Sequence, residues 1–343
     1  MALTDYQGSA GDWRAQIKRN QRKTRLVITL FLLIYVGVGL LADVIIVQSS
    51  YQGVTASQAL SALLSFKVIP YATLTMGGAA LLSILITFAF YNRIMLLGTD
   101  SREITPKTAQ SLQEKQLYHV VEEMKVAAGL RFMPKVFIIR ADYMNAFAAG
   151  FSEKSAMVAI TTGLINKLDR AELQAVMAHE LSHIRHHDIK LTLTVSILSN
   201  LLLIVIDILF YSMLFKRDDK QGDNRLLLVI MVLRFVLPLI TVLLTLFLSR
   251  TREYMADAGA VELMRDNSPM ARALLKISGD HQAHAEQYAK AYGQTAHEQI
   301  RQASYLFDPS GFDPVKSVSN ALSTHPQIEQ RLEALGFKQK KNS

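Results

Sequence analysis

Residues 169–183 read DRAELQAVMAHELSH, a stretch that combines the start signal of a helix with two histidines four residues apart. Asp169 followed three residues later by a glutamate is a capping-box pattern, which predicts a helix beginning there. Positions i and i+4 of a helix project from one face, so His179 and His183 are expected to bind one metal ion together. Glu180 lies beside the first histidine, where it is expected to act as a general base towards water.

The third metal ligand has to come from elsewhere in the chain. The sequence contains no cysteine, so the ligands are His, Asp or Glu, and a catalytic zinc site uses three of them with one open position. The third histidine of a metzincin would stand at position 189, which is isoleucine. His187 remains an alternative, although three ligands on one straight helical face diverge from a tetrahedral centre. Glu253 is the preferred third ligand, and Asp257 on the same helix face is expected to fix a ligand imidazole through a hydrogen bond.

Half of the composition is hydrophobic, and the excess is concentrated in four blocks at 26–47, 68–91, 191–215 and 226–248. At about 1.5 Å per helical residue, each block covers the roughly 30 Å hydrocarbon core of a bilayer. A cleaved signal peptide is the competing interpretation of the first block, which is longer than the usual apolar region of such a peptide. All four blocks are therefore predicted to be transmembrane helices.

The distribution of basic residues predicts the orientation of the chain. Six Lys or Arg side chains lie within 14–25, before the first block, whereas the loop after it carries only Lys67. The positive-inside rule then places the N-terminus in the cytoplasm. His183 precedes the third block and Glu253 follows the fourth, so two crossings return both to the same side. The basic loop 216–225 conflicts with this rule, and a re-entrant hairpin is the alternative that keeps the same parity.

Three charged residues, Asp43, Asp207 and Arg234, fall inside the hydrophobic blocks. In an antiparallel hairpin Asp207 and Arg234 lie at equal depth, roughly 12 Å inside its outer end, so an ion pair between them is predicted. Separate snorkelling or a water-filled cavity is the alternative. Intramembrane charges also suit a transporter or channel, but that class does not explain the histidine and glutamate motifs.

The predicted organisation has three parts. Residues 1–92 form a cytoplasmic N-terminus with two transmembrane helices, 93–190 and 250–343 form a cytoplasmic zinc peptidase domain, and 191–249 form a second transmembrane hairpin. The fold class is mainly α with a small β-sheet. Periodicity in the peptidase domain predicts one helix and two strands, over 111–129, 134–139 and 157–160 respectively.

Four sequence elements together resemble the HtpX family of bacterial membrane zinc peptidases, which is related to the CAAX prenyl protease. They are Asn145-Ala-Phe-Ala, the His179-Glu-Leu-Ser-His helix with Asp188, Glu253-Tyr-Met-Ala-Asp, and Thr324-His-Pro. The resemblance covers nearly the whole chain. It implies a multi-span α-helical membrane protein with a gluzincin-like domain facing the cytoplasm of the bacterial inner membrane. It further implies one zinc ion per chain and cleavage of membrane proteins in quality control.

The resemblance also implies roles for residues outside the metal motifs. Asn145 would sit at an edge strand that aligns the substrate backbone, the alternative being an ordinary turn asparagine. His325 and Arg331 would stabilise the oxyanion, the alternative being a helix-start histidine and a solvated arginine. Asp188 would support the metal ligands from outside. The stretch 281–318 is longer than in shorter members of that family and has no assigned function.

The expected partners are membrane-protein substrates and the lipid bilayer. Much of the net charge of +8 flanks membrane segments rather than covering a basic face, so no nucleic-acid partner is expected. The sequence sets no oligomeric state. A catalytically silent, zinc-bound membrane adaptor remains an alternative function, because ligands alone do not demonstrate turnover. The histidines at 281, 284 and 297 are expected to be solvated rather than metal ligands.

Overall fold

The computed structural model describes residues 3, 6–8, 13–51, 53–150, 152–215, 224–294, 306 and 325–339. The chain forms two compact units. The first, called the peptidase unit below after the function predicted from its sequence, comprises Met1–Thr24, Phe88–Leu191 and Leu246–Ser343. The second, called the hairpin unit, comprises Arg25–Thr87 and Thr192–Thr245.

Helices make up most of the described chain. In chain order they are α1 Trp13–Ser50, α2 Ala56–Leu64, α3 Tyr71–Leu96, α4 Leu112–Ala127, α5 Thr162–Lys167, α6 Arg170–Arg185, α7 Asp188–Phe215, α8 Asn224–Met264, α9 Ser268–Ala283, α10 Ala285–Gln294 and α11 Ile328–Ala334. The strands are β1 Tyr6–Gly8, β2 Ser101–Ile104, β3 Lys135–Ile139, β4 Ala146–Ala149, β5 Met157–Thr161 and β6 Phe337–Gln339.

Three described helices are long and apolar enough to cross a membrane. They are Ile17–Ser50, Thr194–Leu214 and Leu227–Met264. The predicted block 68–91 overlaps α3, whose described apolar stretch Tyr71–Thr87 is shorter. The prediction of a mainly α, multi-span membrane protein is confirmed, and the full crossing of α3 stays a prediction.

One intramembrane charge has a structural explanation in the hairpin unit. Asp43 on α1 is 2% exposed. Its carboxylate accepts hydrogen bonds from the backbone N–H groups of Ala72 and Thr73 at 2.7 and 3.0 Å, and from the Thr73 hydroxyl at 2.7 Å. The first N–H groups of a helix have no partner within it, and an acidic group is favourable at this end of the helix dipole. Asp43 therefore caps α3, a role that needs no transported ion.

The predicted ion pair between α7 and α8 is confirmed. Arg234 Nε donates to Asp207 Oδ1 at 2.7 Å. Arg234 Nη2 donates to the Tyr211 hydroxyl at 3.1 Å, and the guanidinium lies 4.4 Å from the centre of the Phe210 ring. Pro238, one turn later in α8, cannot donate to the Arg234 carbonyl, so the backbone is also polar at this depth. The two charges neutralise each other across the hairpin.

A four-stranded sheet lies in the peptidase unit, in the order β2-β3-β5-β4. β3 and β5 run parallel, whereas the β2–β3 and β4–β5 pairs are antiparallel. The strands predicted at 134–139 and 157–160 are confirmed as β3 and β5, whereas no sequence signal had indicated β2. Among the described strands β4 lies at one end of the sheet, so one of its edges has no strand partner there.

The helix that carries the two histidines begins as the capping box predicts. The Asp169 carboxylate accepts from the Glu172 N–H at 2.8 Å, and the Glu172 carboxylate accepts from the Asp169 N–H at 2.9 Å. Glu172 is fully buried, with its charge balanced by Lys276 at 2.7 Å and Arg272 at 3.5 Å, both on α9. Because α6 packs between α4, α9 and β4, its register relative to the sheet is fixed.

Candidate metal centre

Three of the predicted ligands converge on one point. His179 Nε2 and His183 Nε2 are 3.1 Å apart, and they lie 3.7 and 3.5 Å from the two carboxylate oxygens of Glu253. One ligand atom from each residue falls within 4.8 Å of the others. The i, i+4 spacing on α6 places the two rings together, and α8 brings the glutamate to the same point.

The outer nitrogens of both imidazoles face carboxylates. His183 Nδ1 is hydrogen-bonded to Asp188 Oδ2 at 2.8 Å, and His179 Nδ1 lies 3.0 Å from Asp257 Oδ1. These partners assign the ring proton to Nδ1 in each case, which leaves the Nε2 lone pairs directed at the centre. Burial, followed by the neighbouring His179, lowers the pKa of His183 to about 3. Its imidazole is therefore neutral at physiological pH, the form that binds metals.

Glu180 lies beside this cluster, and Arg331 is the positive charge that acts on it. The residue is 1% exposed, and neither carboxylate oxygen accepts a hydrogen bond of good geometry from the described residues. Burial and the charge of Glu253 raise the pKa of Glu180 well above the usual carboxylate range, while Ala148 and Arg331 act in the opposite direction. A buried carboxylate with a raised pKa is suited to proton transfer near neutral pH.

Arg331 lies next to the cluster, completely buried. Its Nε and Nη2 donate to the two oxygens of Asp257 at 2.8 and 2.6 Å, a bidentate pair. Its Nη1 lies 3.4 Å from Glu253 and donates to the backbone carbonyl of Leu306 at 2.9 Å. The alternative of a solvated arginine is thus wrong in the structure, because Arg331 is 1% exposed.

His325 is also brought to the centre. Its Nδ1 lies 3.3 Å from Glu253 Oε2, and the residue is 6% exposed. Thr324, the first residue of the Thr-His-Pro element, lies outside the described residues. Both sequence-predicted residues from the region after 318 therefore meet the third predicted ligand.

Asn145 directly precedes β4 and is fully buried. Its backbone N–H donates to the Thr161 hydroxyl at 2.9 Å, and its carbonyl accepts from the Thr161 N–H at 3.0 Å. Its side-chain oxygen accepts from the Ala146 N–H at 3.0 Å. The structure thus places Asn145 at the start of the end strand, in line with the edge-strand position that the resemblance implied.

Arg252 is a residue that sequence reasoning passed over. It is 6% exposed and forms an ion pair with Asp188, the carboxylate that holds His183. Its Nη2 also donates to the His186 carbonyl at 2.9 Å. Arg252 thereby connects the helix of the third predicted ligand to the support of the second. Its position next to Glu253 in the sequence could have indicated a role at the site, but no neighbouring residue in the sequence indicated Asp188 as its partner.

Gly259 sets how closely α8 approaches α6. A Cβ at this position would lie 2.4 Å from the hydroxyl oxygen and 2.9 Å from the Cβ of Ser182. Ser182 is buried between the two predicted histidine ligands, and its hydroxyl donates to the Ala178 carbonyl at 2.8 Å. Only a residue without a side chain allows the two helices to meet here. The distance between Glu253 and the histidines therefore depends on this glycine.

Some of the remaining histidines are exposed and one is buried, which the sequence predicted only in part. His187 is exposed, with φ of 55° just after α6, and does not join the cluster. His284 is exposed, as expected, and His297 lies outside the described residues. The prediction that His281 is solvated is wrong, because it is 1% exposed with Nδ1 3.0 Å from the Ile277 carbonyl.

The cluster of two histidines and a glutamate, together with the long apolar helices, indicates the class of a membrane-bound metallopeptidase, and similarity to known proteins shows the family. The model of peptidase family M48 matches residues 111–337. A protein named Protease HtpX homolog from Helicobacter pylori (strain J99) is 41% identical, over 93% of this chain and 96% of that protein. A protein of the same name from Streptococcus uberis is 32% identical over 93% of this chain and 98% of its own length.

The chain therefore belongs to peptidase family M48. Among solved structures, the crystal structure of S. mikatae Ste24p aligns with a TM-score of 0.47 and 21% identity. That alignment covers 76% of this chain and 57% of the Ste24p chain.

Proposed function

We propose that this chain is a zinc endopeptidase that cleaves membrane proteins, with His179, His183 and Glu253 as the metal ligands and Glu180 as the catalytic base. The observation that carries the proposal is the convergence of two Nε2 lone pairs and a carboxylate on one point, with nitrogens 3.1 Å apart. Three acceptor groups in such proximity repel one another unless a cation lies between them.

The donor set fits zinc in particular. Two imidazoles and one carboxylate, with a fourth position left for water or substrate, make up a catalytic zinc site. Asp257 and Asp188 orient the two imidazoles, the usual support for histidines that bind zinc. When bound, zinc supplies Lewis acidity, which polarises the scissile carbonyl and makes water acidic near neutral pH.

The residues of the chain then divide the work of peptide hydrolysis. Glu180 takes the proton from the attacking water and delivers it to the departing amine nitrogen. The edge of β4 that faces away from β5, next to Asn145, aligns the substrate backbone by strand addition. Arg331 and His325, both beside Glu253, stabilise the negative charge that develops on the carbonyl oxygen.

The same proposal extends to location and role. The apolar helices restrict the enzyme to a bilayer, so proteins of that bilayer are its accessible substrates. The basic residues within 14–25 support a catalytic domain on the cytoplasmic side of a bacterial inner membrane. Cleavage of misfolded membrane proteins, as a form of quality control, is the function that this arrangement suits.

The proposal is tested with the full chain purified in detergent micelles. We expect one zinc ion per chain, loss of cleavage of a membrane-protein substrate after chelation, and recovery on adding zinc back. His119→Ala, an exposed position on α4, is the control and should behave as the parent. Stoichiometric zinc without any cleavage would instead establish the silent adaptor, and failure to bind zinc would remove the ligand assignment.

A further inference from the structure

The backbone of Leu306 is held on both sides by residues of the candidate site. Its N–H donates to the carbonyl of Ala146 on β4 at 2.9 Å. Its own carbonyl accepts from Arg331 Nη1 at 2.9 Å. The leucine side chain is 1% exposed. One residue from the stretch without an assigned function is thus held by two backbone hydrogen bonds and has a buried side chain.

The bond to Ala146 lies on the open edge of β4. In an antiparallel ladder, successive residues direct their N–H and C=O groups to opposite sides of the strand. Asn145 bonds to Thr161 at the end of β5, so the backbone groups of Ala146 face away from β5. Leu306 therefore occupies the side of β4 where an added peptide strand would pair.

This position is immediately beside the proposed catalytic groups. Arg331 Nη1, which holds the Leu306 carbonyl, is also 3.4 Å from the Glu253 carboxylate. Ala148 is the next residue of β4 that faces the open edge, and its backbone N–H is close enough to Glu180 to stabilise the charged form. A peptide that paired with this edge of β4 would therefore extend from the position of Leu306, beside Ala146, to Glu180, beside Ala148.

We propose that Leu306 is a built-in competitor that occupies one residue position of the substrate site. The inference rests on the proposed peptidase function and deepens it, since a substrate has to displace Leu306 to pair with Ala146 and reach Arg331. The chain's own leucine also identifies the residue that fits this position, a large aliphatic one. A substrate with a large aliphatic residue beside the scissile bond competes with Leu306 at similar affinity, whereas a substrate with a polar or acidic residue there binds more weakly.

The first test compares the kinetics of Leu306→Ala and the parent in detergent micelles, with a fluorogenic peptide that carries leucine beside the cleaved bond. A weaker occupant leaves the site competent for a larger fraction of the time, so KM should fall by roughly tenfold while kcat is retained. Leu63→Ala is the matched control, since Leu63 is a buried leucine on α2 in the hairpin unit. Its KM should equal that of the parent.

The second test leaves the enzyme unaltered, and so remains decisive even if Leu306→Ala does not fold. A synthetic peptide of residues 302–310, QASYLFDPS, should inhibit the parent competitively, and the same peptide with alanine in place of leucine should inhibit at least several-fold more weakly. Equal inhibition by both peptides, or an unchanged KM in a folded Leu306→Ala, would overturn the inference while leaving the peptidase function intact. Absence of cleavage by the zinc-loaded parent would defeat the proposed function itself.

Discussion

Charged side chains lie among apolar residues in both units, but those named here in the hairpin unit are paired, whereas some of those at the candidate metal centre are not. In the hairpin unit Asp43 accepts three hydrogen bonds and Asp207 is paired with Arg234. In the peptidase unit Glu180 has two buried oxygens without a well-formed hydrogen bond among the described residues, and two imidazole nitrogens face each other. Charges that are paired leave nothing for an ion to satisfy, whereas acceptors that converge without a donor indicate a site for a cation and for chemistry.

The largest loss of peptidase activity is expected from a substitution that removes the catalytic base without changing the shape of the site. Glu180→Gln is nearly isosteric but cannot accept a proton, so peptidase activity should fall by about 10²- to 10⁴-fold while zinc content stays near one per chain. Glu122→Gln, an exposed carboxylate on α4, is the matched control and should retain activity. Substantial cleavage by zinc-loaded Glu180→Gln would remove Glu180 from its role and weaken the contrast between the units.

The next prediction compares the loss of zinc affinity when the third ligand is removed with the loss when a nearby histidine outside the cluster is replaced. Glu253→Ala should weaken zinc affinity by more than about 100-fold, exceeding the usual loss for a supporting residue, because it removes a ligand. His187→Asn should have little effect, and asparagine is chosen because it tolerates the positive φ of 55° at this position. Equilibrium competition with a metal chelator ranks the two. The ligand assignment would be wrong if His187→Asn proved the more damaging.

A third prediction concerns the approach of α8 to α6. Gly259→Ala places a methyl group 2.4 Å from the Ser182 hydroxyl, and overpacking of this kind costs about 1–3 kcal/mol. Zinc affinity should fall as well, since the helices that carry the ligands are forced apart. Gly279→Ala on α9 is the control, because nothing lies within 4 Å of the added carbon. It should leave zinc affinity unchanged and stabilise the helix slightly.

The smallest effect is expected in the hairpin unit. Asp207→Asn, Arg234→Gln and the double variant should give non-additive losses in the stability of the detergent-extracted protein, because each single change leaves the other charge without its partner. Zinc affinity and activity should not change in any of the three. Simple additivity of the losses would show that the pair contributes no direct coupling.

Much of the candidate site was predictable because its geometry is local. The i, i+4 spacing of His179 and His183 follows from helix periodicity, and the number of hydrophobic blocks predicts that Glu253 returns to the same side of the membrane. The ion pair of Asp207 and Arg234 followed from the same helical rise. Such features depend on one helix or one hairpin, so the sequence contains all the information they need.

The features that were missed depend on contacts between distant segments. Arg252 reaches the His186 carbonyl across 66 residues of sequence, and Arg331 reaches Leu306 across 25. No pattern in the sequence around either arginine predicts such a distant hydrogen-bond partner. His281 is different, because Leu274, Ile277 and His281 follow helical spacing on the buried face of α9. Its burial was readable from periodicity, and the expectation of a solvated histidine gave too little weight to it.

The pairing of Arg331 with Asp257 has a consequence for how the protein is made. The two residues are 74 positions apart, and Asp257 itself follows the last hydrophobic block, 226–248. At a synthesis rate of about 5–20 residues per second, roughly 4 to 15 s pass between the emergence of the two side chains. During that interval a nascent chain already displays His179, His183 and Glu253 but lacks the guanidinium that fixes Asp257. The pairing of Asp257 with Arg331 is therefore one of the last steps in assembling the candidate metal centre, and it follows synthesis of the last hydrophobic block.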